Sequence, residues 1–138
     1  MNPYIFREYD IRGIVENDFS PETVLLLGKA FGTYVKRLGG TRVSISGDVR
    51  TTTPQMMDSF SKGLIETGII VLDMGIATTP ANYFSMYHYD IDGAVQITGS
   101  HNPPEFNGIK ISYDKSAFYG EQIQELRKII ENNVFEIG

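Results

Sequence analysis

The stretch GAVQITGSHNPPEFNGIKISY, Gly93 to Tyr113, decides the fold. Gly93-Ala94-Val95-Gln96-Ile97 is short, apolar and partly β-branched, which reads as a strand. Ile109-Lys110-Ile111-Ser112-Tyr113 alternates with period two and reads as another. Between them lies no helical pattern. Thr98-Gly99-Ser100-His101-Asn102-Pro103-Pro104 is made of turn residues, and Asn107-Gly108 reads as a further turn. Parallel neighbours need a crossover, usually a helix. These two strands are therefore expected to be antiparallel or separated by a structured loop, which makes the sheet mixed.

Outward from this stretch, strands and helices alternate. Asp10 to Val15 is a strand. Ser20-Pro21-Glu22 opens a helix: a capping hydroxyl, a proline at the first position and an acid at the positive end of the dipole. Val24, Leu27, Phe31, Tyr34 and Leu38 fall on its one face, and Gly39-Gly40 ends it. Arg42 to Ser46 is a strand, and Thr53-Pro54 opens a second helix that places Met57, Phe60 and Leu64 together and closes at Gly68. Ile69-Ile70-Val71-Leu72 is a continuous apolar run, as expected of a strand buried on both faces. Pro80 to His88 is a short helix. Glu121 to Glu131 is the last, with Ile123, Leu126 and Ile130 on one side. This order predicts an α/β fold: a three-layer α/β/α sandwich with a mixed, mostly parallel sheet. Ligands of such folds sit beyond the carboxyl ends of the strands, here after Ile97, Ser46 and Leu72.

Composition narrows the chemistry. The 138 residues suit one domain, and 41% hydrophobic residues are enough for a core. Twelve basic against seventeen acidic residues give a net charge of −5, so no broad cationic field serves nucleic acid or an anionic membrane. A local cluster of Arg and Lys around a phosphate remains open. The absence of cysteine removes disulfides, thiol nucleophiles and zinc–thiolate sites. His88 and His101, the only histidines, lie too far apart in sequence for an HExxH pair, and His88 reads as structural. No apolar run reaches membrane-spanning length, and MNPYIFREYD has no apolar signal core. The expectation is a soluble cytoplasmic protein.

The Thr98–Pro104 loop carries the chemistry. Gly99 is expected to supply a backbone angle other residues avoid, and two prolines stiffen the exit. Ser100 then presents a hydroxyl at a fixed place, with His101 and Asn102 as neighbouring donors. Lys110 returns on the next strand, on the same side as Ser112. A lysine beside a serine loop points to a phosphate or a developing negative charge. GxxxxGK[ST], GxGxxG and GxSxG are absent, which removes the Walker loop, the dinucleotide fingerprint and the hydrolase elbow.

Thr98 to Pro104 resembles the phosphoserine loop of the α-D-phosphohexomutases, above all the phosphomannomutase/phosphoglucomutase group. The likeness continues through Glu105-Phe106 into Asn107-Gly108-Ile109-Lys110, similar to the family's N-G-x-K. Phe6-Arg7-Glu8-Tyr9-Asp10-Ile11-Arg12-Gly13 resembles its F-R-x-Y-D-I-R-G signature, and Asp48-Val49-Arg50 its D-x-R element, with Ser46 where the family has glycine. The resemblance implies an intramolecular phosphotransferase that interconverts hexose 1-phosphate and hexose 6-phosphate, of mannose or glucose. Ser100 would carry the phosphoryl group, and a hexose 1,6-bisphosphate would be intermediate and activator. Mg²⁺ would bind through a phosphate oxygen on Ser100. Arg12 and Lys110 would stabilise charge, one of them serving in acid/base work. His101 would donate a hydrogen bond, while Tyr9 and Asn102 would meet the substrate.

The family's D-G-D-G-D-R metal loop, G-E-x-S-G-H sugar loop and R-x-S-G-T-E phosphate loop are not in this sequence. Residues 1–131 therefore resemble the phosphoserine domain, first of four, with 132–138 as the start of a linker. Activity would need the remaining domains as partners. Three plainer readings stand beside these. Arg12 would pair with Asp10 or Glu8, and Arg50 would pair with Asp48 or brace a loop. The whole chain would be a stand-alone phosphosugar-binding module. A phosphoglucosamine mutase domain is the other alternative, ranked lower because those sister enzymes usually carry G-T-x-G-x-R-G and S-A-S-H-N-P in place of the YDIRG and TGSHNPP found here.

Overall fold

Ser20 caps the longest helix as its sequence dictates: the hydroxyl oxygen accepts the Thr23 N–H at 3.2 Å, and Pro21 fills the first turn. The structure, a computed structural model, describes residues 2–7, 10–99 and 103–138, and the side chains of all of these except His88 and Ala117. After a 3-10 turn at Pro3–Ile5, the order is β1 (Ile11–Ile14), α1 (Val15–Asp18), α2 (Pro21–Arg37), β2 (Arg42–Gly47), α3 (Thr53–Glu66), β3 (Ile70–Ile76), α4 (Thr79–His88), β4 (Gly93–Ile97), β5 (Phe106–Tyr113), β6 (Ser116–Ala117) and α5 (Glu121–Asn132).

The strands form one sheet in the order β1-β5-β4-β2-β3, with β6 beside β5. β4, β2 and β3 are parallel, whereas β5 runs antiparallel to β4, β1 and β6. Only β5 therefore runs against the rest, which is the mixed, mostly parallel sheet the sequence implied. Val43, Ile45, Val95, Ile97, Ile109 and Ile111 bury one face of the sheet in the main core, against Leu27, Phe31, Phe60, Leu64 and Leu126 of α2, α3 and α5. A smaller cluster of Met86, Ile91 and Ala94 lies under α4 on the other face.

Two glycines let α2 and α3 cross closely. A Cβ on Gly28 would stand 2.2 Å from the Phe60 carbonyl oxygen, and one on Gly63 would stand 2.2 Å from that of Leu25. Phe31 and Tyr34 of α2 meet Phe118 edge-on at 5.6 and 4.8 Å, which ties the last part of the chain to the core. After α5 the chain runs back along α2. The Val134 carbonyl accepts from Arg37, and the Glu136 N–H donates to the Thr33 hydroxyl.

Three local expectations change, and one hairpin is added. β3 extends to Ile76 and lies at the sheet edge, so Ile70 and Ile76 are 59% and 74% exposed instead of buried on both faces. Thr52, not Thr53, precedes α3, and the Thr53 hydroxyl turns to Asp48 instead of capping. Asn107 and Gly108 are strand residues, paired with Gly13 and Arg12 of β1. Asp114 and Lys115, both at positive φ, make a two-residue hairpin into β6. Among the described residues no helix is long and apolar enough to cross a membrane.

Candidate active site

β1 begins where β4 ends, because Ile109 of β5 pairs with both Ile11 and Ile97. Arg12 pairs with Gly108, and Lys110 with Gln96, so both cations stand beside the carboxyl end of β4. They converge on Asp10. Its Oδ2 accepts from Arg12 Nη2 at 2.7 Å and Nε at 3.2 Å, and lies 3.6 Å from Lys110 Nζ. Asp10 is buried, its side chain 8% exposed, whereas each cation is 35% exposed. Charge-assisted bonds of this kind are short and orienting. Sequence reasoning offered Asp10 only as a structural partner for Arg12. The signal that could have found more is its spacing, since residues two apart on a strand share a face.

Asp48, just beyond β2, forms a second junction. Its Oδ1 accepts from the Thr53 hydroxyl at 2.7 Å and the Arg50 N–H at 3.1 Å, and its Oδ2 accepts from the Gly99 N–H at 3.0 Å. Burial alone would raise the Asp48 pKa. The bonds from Thr53, from the Arg50 and Gly99 amides and from the Thr98 side chain outweigh it and hold the carboxyl below its ordinary value. The Arg50 guanidinium lies 3.4 Å from Asp48 Oδ2 and donates to the Pro103 and Phe106 carbonyls at 2.7 and 3.1 Å. Asp48 and Arg50 thus clamp the chain on both sides of residues 100–102, and the loop-brace reading of Arg50 holds.

That clamp also corrects the account of Gly99, which is absent from the positive-φ glycines of the described residues. Its constraint is steric: a Cβ there would stand 2.1 Å from the Arg50 guanidinium carbon. Asn107, fully buried, donates to the Thr52 and Thr53 hydroxyls at 2.9 and 3.1 Å and so ties β5 to the start of α3. Ser46, in the family's glycine place, donates its hydroxyl to Gln96 on β4.

A cavity of about 400 Å³ opens at the carboxyl ends of β2, β3 and β4, between Asp48, Ile76, Thr79, Gln96 and Thr98. On its β5 side, Lys110 and Ser112 face a groove of about 370 Å³ under Tyr83 and Phe84 of α4. The structure thus brings Arg12 and Lys110 together beside the carboxyl end of β4, where Thr98 follows Ile97. Tyr9, Ser100, His101 and Asn102, and with Ser100 the expected metal contact, lie outside the described residues. Among the described residues no group of three or more His, Cys, Asp or Glu side chains could hold a metal ion.

The sequence profile of the phosphoglucomutase/phosphomannomutase α/β/α domain I matches residues 3–136. A phosphoglucomutase of Neisseria meningitidis serogroup B is 40% identical over 95% of this chain and 28% of its own length. The phosphomannomutase/phosphoglucomutase of Pseudomonas aeruginosa PAO1 is 38% identical over 97% of the chain and 29% of its length. A protein named "Probable phosphoglucosamine mutase" from Thermococcus gammatolerans is 41% identical over 91% of the chain and 27% of its length. The crystal structure of a phosphoglucomutase/phosphomannomutase family protein from Burkholderia thailandensis superposes with a TM-score of 0.96 at 35% identity, over the whole chain and 32% of the other. The chain therefore spans under a third of the length of these relatives. Fold, motif order and these matches agree: the chain belongs to the phosphoglucomutase/phosphomannomutase family, as its α/β/α domain I.

Proposed function

We propose that this chain is the phosphoserine-bearing domain of a phosphohexomutase, with residues 1–131 as the domain and 132–138 leading toward further domains. The observation that supports this best is the placement of Arg12 and Lys110 against the carboxyl end of β4, where the TGSHNPP loop leaves the sheet. Phosphoryl transfer asks little covalent work of a protein beyond alignment and charge stabilisation. In the forward half-reaction the P–O bond to Ser100 Oγ breaks as a bond forms to the free hydroxyl of a hexose phosphate. The hydroxyl proton leaves to a base, the freed Ser100 Oγ takes up a proton, and a hexose 1,6-bisphosphate results. After the sugar turns over, its other phosphoryl group returns to Ser100. Arg12 and Lys110 would meet the spreading negative charge. His101 would donate to the phosphoryl oxygens, and Tyr9 and Asn102 would contact the sugar.

A magnesium ion would neutralise charge on the serine phosphate. The described residues do not complete such a site, since Asp10 is engaged by two cations and no three-acid cluster exists among them. Its acidic ligands would come from elsewhere in a longer polypeptide, as would the sugar-recognition loop, and the chain alone would be inactive. A cytoplasmic location would suit hexose phosphates as substrates.

The matches to proteins named as phosphoglucosamine mutases favour a second reading, an amino-sugar phosphate as substrate. The test is turnover of the full-length protein, primed with the cognate 1,6-bisphosphate, on glucose, mannose and glucosamine 1-phosphates. Conversion of glucose or mannose 1-phosphate supports the first reading and preference for glucosamine 1-phosphate the second. No conversion of any of the three contradicts both.

A further inference from the structure

One carboxylate oxygen holds both cations of the site. Asp10 Oδ2 takes two donors of Arg12 from β1 and stands within ion-pair distance of Lys110 from β5. Without it, two like charges would repel each other, and two long side chains would sample many rotamers. With it, they are tied to one point, and the trio carries one net positive charge instead of two. Asp10 itself is buried, and its Oδ2 is engaged by both cations, so its charge serves this pairing.

Resting on the phosphoryl-transfer reading above, we propose that Asp10 is a positioning residue, which presets Arg12 and Lys110 for the transferred phosphoryl group while weakening ground-state binding of phosphate. An arriving dianion meets cations already half neutralised, which holds down uniform attraction. The fixed geometry of the pair serves the charge that spreads over the equatorial oxygens during transfer. The two effects have opposite signs on binding and on turnover, and this separates them from a role in folding.

Asp10→Asn keeps the shape and removes the charge. In the full-length protein, the Kd of inorganic phosphate and the KM of hexose 1-phosphate are expected to fall several-fold, while kcat falls by about tenfold or more. A residue that only stabilised the fold would lower the active fraction, so kcat would fall with KM and Kd unchanged. That pattern, or an unchanged kcat, overturns the proposal. If the wild-type protein shows no mutase turnover, the functional reading fails separately, and the phosphate Kd of the two proteins decides: tighter binding by D10N supports the half-neutralised pair, and equal or weaker binding overturns it. Should D10N fail to fold, Asp10→Glu keeps the charge and displaces the oxygen. Its expected result is a reduced kcat with a phosphate Kd within about twofold of wild type, whereas a wild-type kcat overturns the proposal.

Discussion

Arg50 lies directly over Gly99, with its guanidinium carbon 2.1 Å from where a Cβ on residue 99 would stand. The same guanidinium holds the Pro103 and Phe106 carbonyls, so one side chain meets the chain both before and after residues 100–102. Gly99→Ala forces the Arg50 guanidinium to shift, which strains or breaks those bonds. Hydrogen bonds to charged groups are worth about 1.5–3 kcal/mol each, so a loss of about 2 kcal/mol is expected. Urea denaturation of a double-mutant cycle checks the cause. The cost of Gly99→Ala should shrink to under about 0.5 kcal/mol once Arg50 is already alanine. Equal costs in both backgrounds would show that the close approach is not the constraint.

Asp48 gives the clamp a pH dependence. Its folded-state pKa lies below its ordinary value, so its contribution is present above the unfolded-state pKa of about 3.9 and fades as pH falls through the folded value. Asp48→Asn should therefore be less stable than wild type at pH 6, and the gap should narrow below about pH 4. Chemical denaturation curves collected from pH 6 downward measure this. A constant gap at every pH would mean that the charge of Asp48 does not matter.

The crossing of α2 over α3 leaves no room for a methyl group. At Gly63 the obstructing atoms are backbone, the Leu25 carbonyl oxygen at 2.2 Å and the Lys29 nitrogen at 2.7 Å, and neither can swing away. Gly63→Ala should cost about 2–3 kcal/mol, despite alanine's better helix propensity, because the helices must separate. A fall in the urea midpoint at constant m reports it. A gain in stability would contradict the packing.

These contacts show where the sequence was legible. Helix starts were plain wherever the cap and the proline act locally, as at Ser20-Pro21. Thr53-Pro54 carries the same signature, yet the Thr53 hydroxyl donates back to Asp48 and accepts from Asn107, a partner that only tertiary folding supplies. The run Ile69–Leu72 looks like an interior strand because hydrophobicity does not report sheet order, and β3 lies at the edge. Asn107-Gly108 has turn chemistry, but pairing with β1, an element some ninety residues earlier, holds it extended. The hairpin at Asp114-Lys115 lacked the usual Asn-Gly signal. In the site, Arg12 and Lys110 were visible as cations. Asp10 as their common anchor required knowing that β1 lies against β5.

Lys110→Met isolates one cation of the pair. It removes a positive charge beside the loop and leaves Asp10 balanced by Arg12 alone. Inorganic phosphate should bind several-fold more weakly to the full-length protein, while thermal stability changes by about 1 kcal/mol or less, since Lys110 is a third exposed and Asp10 keeps its bonds to Arg12. Isothermal titration and a melting curve test both halves. Unchanged phosphate affinity would remove Lys110 from the site.

The most direct test of the central claim is to locate the phosphoryl group. The full-length protein is incubated with a hexose 1,6-bisphosphate, digested and mapped by mass spectrometry, beside Ser100→Ala. One phosphoryl group on Ser100, absent from the variant together with mutase turnover, is the predicted result. A phosphoryl group found only elsewhere, or turnover retained in Ser100→Ala, would contradict the account.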